Sequence, residues 1–192
     1  MLKKILVGIS VLVALLLVIV AAQPAEYHVE RSLEMSAPAE VVWEQLSDFN
    51  AWRAWSPWHK MDPDQKTSVT GDAGAVGHTS SWDGEKSGKG SQEIVVADKP
   101  KHLGMRLVML EPMPDEAETG FKLEQVADGT KVTWFIDGNN NFVKKFFALV
   151  MGMEDMLGGM FDQGLSDLKL IVEEKAKEQA AARAAAGDEA SD

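Results

Sequence analysis

The sequence predicts an α+β domain: an antiparallel β-meander followed by one long C-terminal helix, with a separate apolar helix in front. Three observations carry this. An uncharged apolar run opens the chain, short alternating segments rich in tryptophan fill the middle, and a helical stripe of Met, Phe and Leu closes it. The chain has 192 residues. Without the opening run about 170 remain, enough for one domain with its own core.

The first element runs from Ile5 to Ala22 with no charge, and Ser10 is its only polar side chain. As a helix it spans about 27 Å at about 1.5 Å per residue, close to the hydrocarbon thickness of roughly 30 Å. Lys3 and Lys4 precede it, and Glu26 and Glu30 follow before the first cation, Arg31. Basic flanks stay in the cytoplasm, so the domain is expected on the periplasmic or extracellular side of the cell membrane. The run is longer than a usual signal-peptide core, which favours a retained single-pass anchor. Val20-Ala21-Ala22 also suits a signal peptidase, so a secreted or periplasmic form cleaved near Ala22 is the alternative. Gln23-Pro24 ends the helix.

Residues 27–36 alternate. Tyr27, Val29, Leu33 and Met35 share one face; His28, Glu30, Ser32 and Glu34 share the other. Arg31 interrupts the apolar face. Pro38 suits the first turn of a short helix carrying Val42 and Leu46. Residues 48–58 predict a helical turn and then a loop at Ser56-Pro57. Asp62-Pro63-Asp64 is a turn. Six strands follow near 65–70, 77–82, 88–97, 102–111, 117–126 and 130–137, bounded by Gly, Pro or Asp. Their short connections imply an antiparallel meander.

Asn139-Asn140-Asn141 can cap the last helix. From Phe142 the period becomes helical, with Phe146, Val150, Met153, Leu157, Met160, Gly164, Leu168 and Ile171 in one continuous stripe. Gly158-Gly159 inside it predicts close approach or a bend. Beyond Ile171 the sequence turns Lys/Glu/Ala-rich and is expected to project, with disorder from Gly187 on. The expected layout is a basic flank at 1–4, the anchor or signal segment at 5–22, the domain at 27–172 and a charged extension at 173–192.

Composition excludes several function classes. With 30 acidic against 19 basic residues and a net charge of −11, nucleic acid is not an expected partner, because phosphate binding needs clustered cations. The absence of cysteine removes disulfides, thiol nucleophiles and Cys-ligated metals. His28, His59, His78 and His102 form no HxxxH or HExxH pattern, so no metal site is expected. Residues 84–90 imitate a phosphate loop but end in Gly90 where Ser or Thr should stand, and they lead into a strand. No nucleophile elbow appears. No catalytic residue and no cofactor is assigned. His59, beside the tryptophans, is read as a surface residue before a general base.

The order of elements is that of the helix-grip fold. Val29-Glu30-Arg31-Ser32, Ala37-Pro38-Ala39-Glu40-Val41-Val42-Trp43, Trp52-Arg53-Ala54-Trp55-Ser56-Pro57-Trp58, Gly129-Thr130-Lys131-Val132-Thr133-Trp134 and Gly164-Leu165-Ser166-Asp167-Leu168-Lys169 make the chain similar to the SRPBCC (START/birch-pollen-allergen-like) superfamily. Within it, the chain resembles the membrane-anchored bacterial proteins grouped as polyketide cyclase/dehydrase and lipid-transport-like. The resemblance covers about 27–172. It implies a curved sheet gripping the long helix around a hydrophobic cavity.

That picture names the candidate cavity residues: Trp55, Trp58, Trp82, Trp134, Arg31, Met105, Leu107, Phe146, Val150, Met153 and Leu157. Indole offers a large apolar surface with one donor, suited to a guest with few polar groups. Trp55 and Trp58 rank first, because short helices cover the sheet there in helix-grip proteins. Met151, Met153, Met156 and Met160 facing Met105 and Met109 would adapt to varied apolar guests, and equally suit plain core packing. Arg31 would bind a carboxylate or phosphate, or else reach solvent at the rim. The expected function is binding or transport of a lipid, quinone or polyketide-like molecule, with the membrane as second partner through the N-terminal helix. Two alternatives stand beside it: a cyclase or dehydratase on an aromatic or polyketide substrate, and a non-enzymatic envelope interaction protein. No oligomeric state is assigned from the sequence.

Overall fold

The structure is a computed structural model that describes residues 2–189, and the side chains of residues 150, 151 and 187–189 lie outside the described part. Helix α1 (Leu2–Ala22) precedes β1 (Glu26–Met35), α2 (Ala39–Ser47), a 3-10 turn (Ala51–Ala54) and α3 (Pro57–Met61). Strands β2 (Lys66–Thr70), β3 (Thr79–Gly84), β4 (Gly88–Asp98), β5 (His102–Glu111), β6 (Asp115–Val126) and β7 (Gly129–Asn139) follow, then α4 (Phe142–Met151) and α5 (Met153–Glu189). The seven strands form one antiparallel sheet in the order β1-β7-β6-β5-β4-β3-β2. Six strands in meander order, with the first strand returning beside the last, is the α+β arrangement expected from the alternation.

Pairing of β1 with β7 brings Glu26 opposite Asn139. Asn140 N–H then donates to Ala25 C=O at 2.7 Å. The exit of α1 and the entry to α4 are therefore fastened together at one end of the sheet. α1 is long and apolar enough to be either a single membrane span or a signal sequence. Its side chains are exposed apart from buried Val20.

Helix α5 lies across β1 and also touches α2, α3 and β7. Two expectations about this region need correction. The stripe is not one continuous helix: Gly152 adopts φ +61° and its N–H donates to Ala148 C=O, so α4 stops there and α5 begins at Met153. A left-handed residue costs glycine little and other residues more, which is why the turn falls there. The buried face of α5 also differs in part from the expected one, keeping its Gly164 and Leu168 but not its edges. Phe161, Gly164, Leu165, Leu168 and Val172 are buried, while Met160 and Ile171 are only half-buried. The expected loop at Ser56-Pro57 is instead the start of α3, with Pro57 in its first turn. Disorder was expected from Gly187 on, but α5 continues through Glu189, and residues 190–192 lie outside the described residues.

The corner opposite α1 is organised by His78, which is fully buried. Its Nε2 accepts Phe49 N–H at 3.2 Å, so Nδ1 carries the hydrogen and faces the carbonyls of Thr70 and Gly71 at 3.1 Å. Its ring stacks on Phe49 at 4.8 Å. At the α1 end the β3–β4 turn is held by Asp62, whose Oδ2 accepts from Ser87 N–H, Lys86 N–H and the Ser87 hydroxyl at 2.9–3.0 Å. The Ser87 and Lys86 backbone donors, with help from the Ser87 hydroxyl, hold this carboxyl below the usual range. A depressed folded-state pKa contributes stability above the unfolded value near about 3.9, and loses it as pH falls through the folded one. Asp62→Ala is therefore expected to lower the melting temperature at neutral pH. The gap to the parent should close in strong acid, as thermal melts across pH will show.

Candidate functional site

The register places the inner face of the sheet in rows that run across the strands. One row joins Arg31, Trp134, Phe121 and Leu103; the next joins Val29, Ile136, Thr119, Met105 and Ile94. A third row, toward α1, joins Tyr27, Gly138, Ala117, Leu107, Gln92 and Ser80, and beyond it Asp115, Met109, Gly90 and Trp82 lie in register. The rows differ in cover. Along β5 the inner side chains pass from buried Leu103 and Met105 to half-buried Leu107 and Met109. Along α5 they pass from buried Phe161 to half-buried Leu157 and exposed Met153.

The well-covered half is filled by aromatic rings around Trp134. Phe161 stacks on it at 4.4 Å between centroids, and Phe121, Trp58, Trp55 and Trp52 surround it at 4.9, 5.5, 5.6 and 6.1 Å. Such pairs are worth about 0.5–1.5 kcal/mol each beyond their area. Trp52 donates its N–H to Leu46 C=O at 2.8 Å. The indole nitrogens of Trp55 and Trp134 are buried and have no acceptor among the described residues. Trp55, Trp58 and Trp134 thus come together as the sequence suggested, but inside a packed cluster. Phe121 and Phe161 were not singled out from the sequence. Phe161 carried a usable signal, since it lies four residues after Leu157 on the same helix.

Other sequence-predicted residues scatter. Trp82 stands apart near the sheet edge and donates to Ser87 C=O at 3.3 Å, with its ring over Gly90. Met105 is fully buried in the same hydrophobic core. Leu107, Leu157 and half-buried Phe146 belong to the less covered end, as does exposed Met153. The Val150 side chain, and that of Met151, lie outside the described residues. Arg31 faces inward, opposite Trp134. Its guanidinium crosses α5 at Gly158, pairs with Asp162 at 3.3 Å and donates to Glu30 C=O at 2.7 Å. Gly158 therefore gives the close approach expected of the glycine pair, by admitting this side chain.

Titratable groups near the site are few. Burial, with Asp115 and Asp137 adding repulsion, pushes the Tyr27 hydroxyl up to about 12. Burial, then Arg53, pushes His59 down, and its Nδ1 has no partner among the described residues. On the outer face, the Asp137 hydrogen bond at 2.6 Å raises His28, with Glu30 adding to it. There a surface recess of about 630 Å³ is bordered by Glu26, Glu116, Glu118, Asp137 and Arg106. A second, of about 530 Å³, lies along the Asp62 turn. Among the described residues no three His, Asp or Glu side chains are placed to hold a metal.

Comparison with known proteins agrees with this architecture. Residues 26–173 match the family model described as polyketide cyclase / dehydrase and lipid transport. Protein CV1439 from Chromobacterium violaceum is 17% identical over 79% of this chain and 99% of its own, with a TM-score of 0.56. The Aha1 dimer from Colwellia psychrerythraea is 19% identical over 77% and 96%, with a TM-score of 0.55. A protein from Arthrobacter aurescens is 19% identical over 78% and 87%, with a TM-score of 0.53. These likenesses concern the fold alone. No curated protein matches the chain. The match over nearly the whole domain places the chain in the polyketide cyclase/dehydrase and lipid transport family of helix-grip proteins.

Proposed function

We propose that this domain binds or carries a hydrophobic small molecule (a lipid, quinone or polyketide-like compound) between its sheet and α5, beside a membrane that α1 spans. Residues 5–22 form the anchor, residues 1–4 its cytoplasmic flank, residues 27–172 the binding domain and residues 173–192 the extension. One observation supports this reading above the rest: the inner side chains of β5 and the facing side chains of α4 and α5 stay apolar while their cover thins toward α1. Leu107, Met109, Leu157 and Phe146 are half-buried, and Met153 is exposed. Apolar side chains left in this state gain about 25 cal/mol per Å² when a guest covers them. The guest's place is this end, because the aromatic cluster fills the other.

An acid/base catalyst needs a pKa near the working pH. Burial pushes the hydroxyl of Tyr27, on the inner face toward α1, up to about 12. That favours binding over proton transfer. The test is a titration of the full chain in detergent with a dansyl-labelled fatty acid. Met153→Trp should weaken binding about tenfold, or about 1.4 kcal/mol, while Val76→Trp at the far end should not. Equal affinity in both variants removes the guest from the α4 end.

A further inference from the structure

We infer that α4 is a membrane-surface helix: it lies in the headgroup and upper acyl region of the leaflet from which α1 emerges. Eight of its ten residues, Phe-Val-Lys-Lys-Phe-Phe-Ala-Leu-Val-Met, are apolar. Yet Phe142, Val143, Phe147 and Leu149 remain 48, 51, 38 and 43% exposed. The helix is firmly made. The Asn141 side chain caps it by accepting Lys144 N–H at 2.9 Å, and Gly152 closes it. A stable helix that turns phenylalanine and leucine outward is not built for water.

Its position identifies the missing solvent. α4 packs against α1, and the Asn140–Ala25 hydrogen bond fastens its start to the end of α1. The exposed apolar surface of α4 is thus continuous with that of α1, whose whole length requires hydrocarbon if it spans. The β5–β6 hairpin lies at the same end, as the pairing of Met109 with Asp115 shows. It adds Leu110 and Met113, both about half exposed. Lys144 locks α4 to this hairpin through Asp115 and to Asn139 C=O at 2.9 Å. Helix and hairpin therefore present one apolar surface around the emerging α1. A bilayer interface accepts such a surface lying flat in its plane. The less covered end of the inner face, with Leu107, Met109 and Leu157, then opens toward lipid.

The chain has no cysteine, so single nitroxide labels can be placed without background. Phe147→Cys and Val143→Cys report α4, Val13→Cys reports α1, and Val76→Cys at the opposite end of the sheet reports water. Each labelled full chain is reconstituted into phosphatidylcholine/phosphatidylglycerol vesicles, and accessibility to oxygen and to a water-soluble nickel chelate is read by power saturation. The expected result is an oxygen-to-nickel ratio severalfold higher at 147 and 143 than at 76. Full nickel access at both α4 positions, with Val13→Cys in hydrocarbon, overturns the inference and leaves the anchor standing. Protection from both reagents also overturns it, in favour of a protein partner such as a second copy. Nickel access at position 13 overturns anchor and interfacial helix together. If one α4 variant fails to fold by circular dichroism, the other gives the reading.

Discussion

Replacing Trp134 by alanine is expected to destabilise the domain by about 3–5 kcal/mol, the range for losing a large buried aromatic side chain. Trp134 is 2% exposed, and rings from four other segments close on it: Trp52 and Trp55, Trp58, Phe121, and Phe161. It is the point where the sheet, the short helices and α5 meet. Removal leaves a void lined by rings that are themselves wedged, so collapse around it is limited. For a domain of this size about 1 kcal/mol shifts the melting temperature by roughly 2–4 °C, so a drop of about 10 °C is expected by circular dichroism in detergent. Trp134→Phe should cost much less, because it keeps the stack on Phe161. A loss below about 1 kcal/mol for the alanine variant would show that the hub is elsewhere.

Gly164→Leu should also destabilise, for the opposite reason. A Cβ at position 164 would stand 2.8 Å from Trp134 Cζ3 and 3.0 Å from Pro57 Cδ. Neither neighbour can retreat: Trp134 is clamped by the aromatic cluster, and Pro57 begins α3. The helix itself must lift, and overpacking of this kind costs about 1–3 kcal/mol, partly offset by the helix propensity gained, about 0.8 kcal/mol. Gly159 is the control. It sits on the same helix, and a Cβ there would meet nothing within 4 Å, so Gly159→Leu should be neutral or mildly stabilising. Urea unfolding of the two variants side by side measures the difference. Equal stability would mean that α5 does not sit close on Trp134.

The strands were legible because each carries its own period-2 alternation and is bounded by Gly, Pro or Asp. Observed β5 matches its expected limits, and the others shift by one or two residues. The break between α4 and α5 was hidden. Gly152 interrupts an apolar stripe no more visibly than Gly158 or Gly159, and only its positive φ makes it a turn. Phe161 and Leu165 join the expected Gly164 and Leu168 on the core face, while Met160 falls at its edge. For the candidate site, the sequence singled out the tryptophans as cavity candidates, but not which of them meet. Trp82 is separated from Trp134 by pairing order across the sheet, which no local signal encodes. Arg31 was visible as an interruption of an apolar face. Its partner Asp162 lies 131 residues away, and Gly158 makes room for it; both follow from the seating of α5.

The central proposal is a guest held at the thinly covered, α1-facing end of the domain. Native mass spectrometry of the full chain, extracted gently from the membrane of its own host, tests this most directly. The prediction is a mass increment from an apolar small molecule that persists in the parent and falls in Met153→Trp. Repeated extractions that give only the bare polypeptide mass, in parent and variant alike, would contradict it.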